Sequence, residues 1–337
     1  MLEAFYPTER GSLEDATING GFDLHPELVW IDLIAPSQEE QEWVLQAYQQ
    51  NLPTLKSLED ISSSARFYRD DDGILHISTY FLTKNKNYQV EGDPDDSTNM
   101  LATVQTVAFI LHKNRLFTLR GEKLVAFRAF RARARRNDYD IDYKDPTWIL
   151  LGLLEAKLDE LADILEDIHK DLESYSTEVL NVRHREMILD LDDMITRLAQ
   201  KEDMLGKAQL CLIDLRRVLT FLSRPRALGS HIYDADIREL SEDVRSLVEH
   251  DAFLFQKVRF LLDTTSGFIN TEQNDTIRRF SILPSMLAPP MLIASIYGMN
   301  TEVLPFAHGS TSFYVVITIL IAFFVGPLIY FRWKKWI

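Results

Sequence analysis

Two stretches near the C-terminus decide the fold: FSILPSMLAPPMLIASIYGM at 280–299 and FYVVITILIAFFVGPLIYF at 313–331. Between Arg279 and Glu302 lie 22 residues without a formal charge, and between Glu302 and Arg332 lie 29 more, with His308 the one partial exception. A bilayer core of about 30 Å takes roughly 20 apolar helical residues, so each stretch is long enough to cross. Buried core helices are the alternative, but the second stretch is too uniformly apolar to have a polar face. The flanks orient the pair. Arg278 and Arg279 precede the first span, Arg332, Lys334 and Lys335 follow the second, and the connecting TEVLPFAHGSTS has neither Lys nor Arg. The positive-inside rule then places both termini in the cytoplasm and the loop outside, with Tyr297, Phe313, Tyr330, Trp333 and Trp336 at interfacial positions.

The rest of the 337-residue chain is a different material. Residues 1–273 hold 31 Lys+Arg against 49 Asp+Glu, a net of −18. That balance argues against nucleic-acid binding, for which a basic surface is needed. The basic run Arg128, Arg131, Arg133, Arg135 and Arg136 reads as a salt-bridged helix face on an acidic domain. A single cysteine, Cys211, excludes an internal disulfide and a Cys-based zinc cluster. The start, MLEAFYPTER, lacks the charged and apolar regions of a secretory signal. No G-x-x-x-x-G-K-[ST] string occurs, and no nucleophile–base constellation is visible, so neither nucleotide-driven transport nor an enzyme is expected.

Working back from the spans, residues 232–283 contain no proline. Leu240, Val244, Leu247, Asp251, Leu254, Val258, Leu261, Thr265 and Phe268 recur in steps of four and three, a heptad seam with two polar interruptions. A helix over 232–298 would be roughly 100 Å long and would run from cytosol into membrane. An ordinary helical hairpin packed on the preceding domain fits the same periodicity. Residues 147–223 read as two long helices, stopped by Pro225 and Gly229. Upstream, LVWIDLI (28–34), ILHISTYFL (74–82), TVQTVAFIL (103–111) and RLFTL (115–119) read as strands, the last two joined by a turn at His112-Lys113-Asn114. The expected organisation is an α+β cytoplasmic domain (1–145), a helical hairpin (146–231), and a long stalk helix continuing into the first span (232–299). An external loop (300–312), the second span (313–331) and a basic tail (332–337) follow. Two helices per chain cannot enclose a water-filled path, so a pore requires a ring of copies.

The first span ends in Tyr297-Gly298-Met299-Asn300. A Gly-Met-Asn triplet closing the first of two C-terminal spans resembles the CorA family of divalent-cation transporters. Leu254-Phe255-Gln256-Lys257-Val258, Gly267-Phe268-Ile269-Asn270, Glu272-Gln273-Asn274, Pro289-Pro290 and Leu58-Glu59-Asp60-Ile61 also resemble its proteobacterial branch. The resemblance implies a funnel-shaped homopentamer in the bacterial inner membrane. In it the first span lines the pore, Gly298, Met299 and Asn300 form a selectivity ring outside, and the cytoplasmic domains sense internal Mg²⁺. Its substrates are Mg²⁺ with Co²⁺ and often Ni²⁺, and no organic cofactor is involved. A zinc carrier of the related ZntB branch and a membrane-anchored coiled-coil receptor without flux are the alternatives; Met299 and the asparagine ring favour the first reading.

The residue chemistry suits that expectation. Mg²⁺ sheds water reluctantly, and five neutral Asn300 carbonyls could accept hydrogen bonds from its water shell. A helix C-cap is the bland role for the same asparagine. Counting back from Gly298 at helical spacing gives Ser295, Met291, Ala288, Pro284, Phe280, Ile277, Asn274, Asn270, Gly267 and Asp263 as the pore line, with Phe280 and Met291 as gate candidates. By the resemblance, the regulatory metal lies between Glu59 and Asp60 of one subunit and Glu239, with Asp243 nearby, on the neighbour's stalk. A solvated acidic face is the plain alternative there. This chain departs from its relatives at Met291, where Thr is common, and at Phe306, which follows Pro305 where an acid is usual. Glu302 is then the remaining acid in the external loop.

Overall fold

Period-two alternation in the N-terminal segment builds one mixed sheet. The computed structural model describes residues 1–9, 11–16, 27–59, 66–84, 102–136, 141–180, 188–225, 227–299 and 312–334. The strands are β1 (Leu2–Pro7), β2 (Leu13–Ala16), β3 (Trp30–Ile34), β4 (Phe67–Arg69), β5 (Leu75–Lys84), β6 (Ala102–His112) and β7 (Arg115–Arg120), in the order β2-β1-β3-β7-β6-β5-β4. Every pairing is antiparallel except β3 with β7, which run parallel with Trp30 opposite Leu116. All five residues of β3 are buried, as expected of a central strand covered on both faces. The β6–β7 hairpin closes through Lys113, whose φ of 53° is the left-handed value that a two-residue turn demands.

Alternate residues feed two different layers. Ile31, Leu33, Ala108, Ile110, Phe117 and Leu119 pack with Val44, Leu52 and Leu58 from the side of α1 (Gln38–Tyr48) and α2 (Leu55–Glu59). The opposite face carries Trp30, Phe81 and Phe109, which meet Phe127 of α3 (Val125–Arg136) at ring-centroid distances of 6.1, 5.6 and 6.2 Å. The arginine run on α3 is spent locally. Arg131 pairs with Glu3, Arg135 with Asp15, and Arg133 with Asp159 at 2.9 Å.

Two 35-residue helices follow, α4 (Pro146–Leu180) and α5 (Ile188–Leu222). Gly152 lets α4 approach α3, since an added Cβ would clash with the ring of Phe130. A buried polar knot fastens both helices to the sheet. Lys157 Nζ on α4 donates to Thr79 Oγ1 on β5 (2.8 Å), and the Tyr80 backbone N–H donates to Asp214 Oδ2 on α5 (2.9 Å). Burial pulls the Lys157 amine below its ordinary range and pushes the neighbouring Cys211 thiol up to about 11, so that cysteine is inert.

The long helix is α6 (Asp234–Tyr297), 64 residues, and the last is α7 (Ser312–Trp333). The α+β domain, the long helix and the two C-terminal apolar helices are all present. The chain forms two compact units, residues 1–182 with 193–261, and 183–192 with 262–337. In the first unit the seam of α6 is buried at Val244, Asp251, Leu254, Val258 and Leu261. Asp251 is 0 % exposed, and neither carboxylate oxygen has a hydrogen-bond partner among the described residues. Burial pushes its carboxyl from 3.8 up to about 6. A carboxyl raised on folding contributes stability that is whole below the unfolded value and is lost as pH rises through the folded one. Asp251→Leu is therefore expected to gain on the native chain by about 2 kcal/mol between pH 4 and pH 7. Thermal unfolding of both proteins across that range checks it; a constant difference would place the charge elsewhere.

Candidate functional site: an acidic cavity and an exposed helix face

Three sequence-expected acids can be followed into the first unit. Glu239 and Asp243 on α6 line a cavity of about 520 Å³ together with Asp236, and with Asp142, Glu155 and Asp159. The sequence reading missed the last four. Their signal was present, because the spacings 155/159 and 236/239/243 put carboxylates on one face of each helix. Burial is the main cause that raises the Glu155 carboxyl above its ordinary range. Arg133 opposes the shift, while Asp159, Glu239 and Asp236 add to it. The cavity is thus a concentration of negative charge with one nearby guanidinium. Among the described residues no group of three His, Cys, Asp or Glu side chains is placed to hold a metal ion. Glu59 ends α2, and Asp60 lies outside the described residues.

The second unit holds the expected pore line. Along α6, Asp263, Asn270, Asn274, Ile277, Phe280, Pro284, Ala288, Met291, Ser295, Gly298 and Met299 are all exposed in the single chain. The apolar members are strongly so, with Phe280 at 76 % and Met291 at 68 %. Off that line Ile282 and Met286 are buried, while Leu283, Leu287, Leu292 and Ile296 are exposed as well. A face this apolar and this exposed is unusual for a water-facing helix. Pro284, Pro289 and Pro290 sit inside α6 and donate no backbone hydrogen bond, yet the helix continues through them. It ends where the Gly298 N–H reaches Ala294 O (3.0 Å) and the Met299 N–H reaches Ile296 O (3.2 Å). Asn300, Glu302 and Phe306 lie outside the described residues. Both α6 and α7 contain a segment long and apolar enough to cross a membrane, and none of the α7 segment is buried.

Comparison with known proteins places these features in a known setting. Residues 26–335 match the family model described as "CorA-like Mg2+ transporter protein". The chain is 40 % identical over 309 residues to the magnesium transport protein CorA of Pectobacterium atrosepticum, covering 92 % of each chain. It is 38 % identical over 337 residues, the whole of both chains, to the protein of the same name from Yersinia pseudotuberculosis. Among solved structures, the complete CorA magnesium transporter from Methanocaldococcus jannaschii shares the fold with a TM-score of 0.76 at 18 % identity. That match covers 100 % of this chain and 99 % of the other.

Proposed function

The chain belongs to the CorA-like Mg²⁺ transporter family, and from that premise we propose that it is a channel-like carrier of Mg²⁺ into the cytoplasm. It works as a homopentamer in the bacterial inner membrane, with both termini cytoplasmic and no catalytic step. Co²⁺ and Ni²⁺ are further cargo. The observation that carries this reading is the exposed line of residues from Asp263 on α6 to Met299 just past its end. Five copies of that line around an axis make a narrow, mostly apolar path. Such a lining binds a hydrated cation weakly, and the bulky rings of Phe280 and Met291 can close it by dewetting. Asn270, Asn274 and Asp263 supply polar rings at the cytoplasmic end. Asn300, with Gly298 and Met299, forms the outer ring, and Glu302 draws cations to it.

The membrane potential suffices as driving force. Each charge moving down 100 mV gains about 2.3 kcal/mol, so a divalent ion gains about 4.6 kcal/mol. Such influx calls for a brake. The acidic cavity supports one: its carboxylates repel one another, and a metal bridging Glu239 and Asp243 to Glu59 and Asp60 of a neighbour holds the subunits closed. Loss of that Mg²⁺ favours opening, a coupling between cytosol and pore.

Flux into proteoliposomes under an inside-negative potential tests both parts. Mg²⁺ entry is expected to rise with the potential and to fall as Mg²⁺ increases on the cytoplasmic face. The Glu59→Ala/Asp60→Ala double variant should keep entering flux high where the native chain is inhibited. Entry no faster than into empty vesicles would remove the transport reading; unchanged inhibition in the double variant would remove the sensor.

A further inference from the structure

Two histidines from different helices meet in the first unit. His169 Nδ1 on α4 lies 3.5 Å from His250 Nε2 on α6, with the rings 5.5 Å apart and inclined at 59°. Well-made N–H hydrogen bonds span roughly 2.7–3.2 Å, so this separation is long for one. It is close to another distance. Two nitrogens at Zn–N lengths of roughly 2.0–2.1 Å in a tetrahedral site stand roughly 3.3–3.4 Å apart. The other ring nitrogen of His169, Nε2, faces Glu173 Oε1 at 3.4 Å on the same helix. A carboxylate on that side is the usual outer-shell partner of a metal-bound histidine, with Nδ1 as the metal-facing nitrogen. Phe253 closes one side, its ring centroid 6.2 Å from His169 and 6.5 Å from His250. The His169 side chain is 32 % exposed, so water reaches the pair and can complete a coordination shell.

We propose that His169 and His250 form a binding site for a borderline divalent cation of the Zn²⁺ type, clipping α4 to α6 with water in the remaining positions. Imidazole nitrogen suits Zn²⁺, Co²⁺ and Ni²⁺, whereas Mg²⁺ demands oxygen ligands. The site is therefore separate in chemistry from the carboxylate cavity and the pore, and it does not depend on transport. Bridging two helices, it stiffens the long helix against α4 when transition metal accumulates.

The test is Zn²⁺ binding to the purified full-length chain in detergent, measured by equilibrium dialysis against a large excess of Mg²⁺. The expected result is one Mg²⁺-resistant Zn²⁺ per chain, absent in His169→Ala and in His250→Ala. Glu173→Gln should keep the site and weaken it about 10-fold, the low end for losing an outer-shell partner. Cys211 does not confuse the count, being buried. Absence of Mg²⁺-resistant Zn²⁺ from the native chain overturns the proposal without any variant. So does an unchanged Zn²⁺ count in either histidine variant. The visible spectrum of bound Co²⁺ is a second measurement on the native chain: a band matching the fully hydrated ion also overturns it.

Discussion

Asn300→Ala is expected to reduce Mg²⁺ uptake to background while leaving oligomeric assembly unchanged. A hydrated Mg²⁺ presents water hydrogens, and an amide oxygen accepts from them without charge. A carboxylate ring would hold the ion too strongly to release it; a methyl group offers nothing. One net hydrogen bond is worth about 1 kcal/mol. In a fivefold ring the substitution removes five acceptors together, about 5 kcal/mol, which corresponds to more than a thousandfold in occupancy. In the proposed ring, assembly is expected to survive, because the long apolar stretch of α6 and the whole of α7 remain available for subunit contacts. Uptake followed with a Mg²⁺-sensitive dye, beside cross-linking of the same preparation, separates the two effects. Native-level uptake by the alanine variant would remove Asn300 from the path. Asn300→Asp sharpens the reading: it should bind external cation more tightly and pass it more slowly.

The parts of this architecture that depend on local pattern were legible, and the parts that depend on distant pairing were not. Two charge-free stretches announce their helices because a 20-residue apolar run has few alternatives. The seam from Leu240 to Leu261 announces a buried face because helical periodicity is a local property, and Val244, Leu254 and Val258 are indeed 0 % exposed. Strands β5 to β7 were visible through their alternation. By contrast β2 and β4 are four and three residues long, too short for a pattern to stand out. Nothing local states that β3 pairs in parallel with β7, some 86 residues away. The acidic cavity shows the same division. Glu239 and Asp243 could be named from their helix, but Glu155 and Asp159 join them only because α4 and α6 line one cavity. The His169–His250 contact, between residues 81 apart, has no sequence signal at all.

Distance in sequence also sets the largest stability effect. Asp32→Ala is expected to destabilise the N-terminal α+β domain by about 3–5 kcal/mol, the cost of leaving a buried charge without its partner. Asp32 on β3 and Arg120 on β7 are both 0 % exposed. The guanidinium donates to the carboxylate through Nη2 (2.6 Å) and Nε (3.2 Å), a two-point contact that fixes geometry as well as charge. Thr118 Oγ1 donates to Asp32 Oδ1 at 2.7 Å, and Trp30 Nε1–H donates to Thr118 Oγ1 at 3.0 Å. Arg120 also donates to Glu122 O and lies 4.3 Å from the centre of the Phe127 ring. The pair thus sits on the single parallel junction of the sheet, under α3, where water cannot replace the lost carboxylate. For a domain of this size the loss corresponds to a fall of roughly 10 °C in apparent melting temperature of the full-length protein. The double variant Asp32→Leu/Arg120→Met should recover much of that fall. Removing both charges abolishes the desolvation cost, which pairing offsets only in part. A single variant that melts with the native chain would mean Arg120 finds another partner. A double variant as weak as the single would mean that the hydrogen bonds through Thr118 and Trp30, rather than the charge, hold β3 against β7.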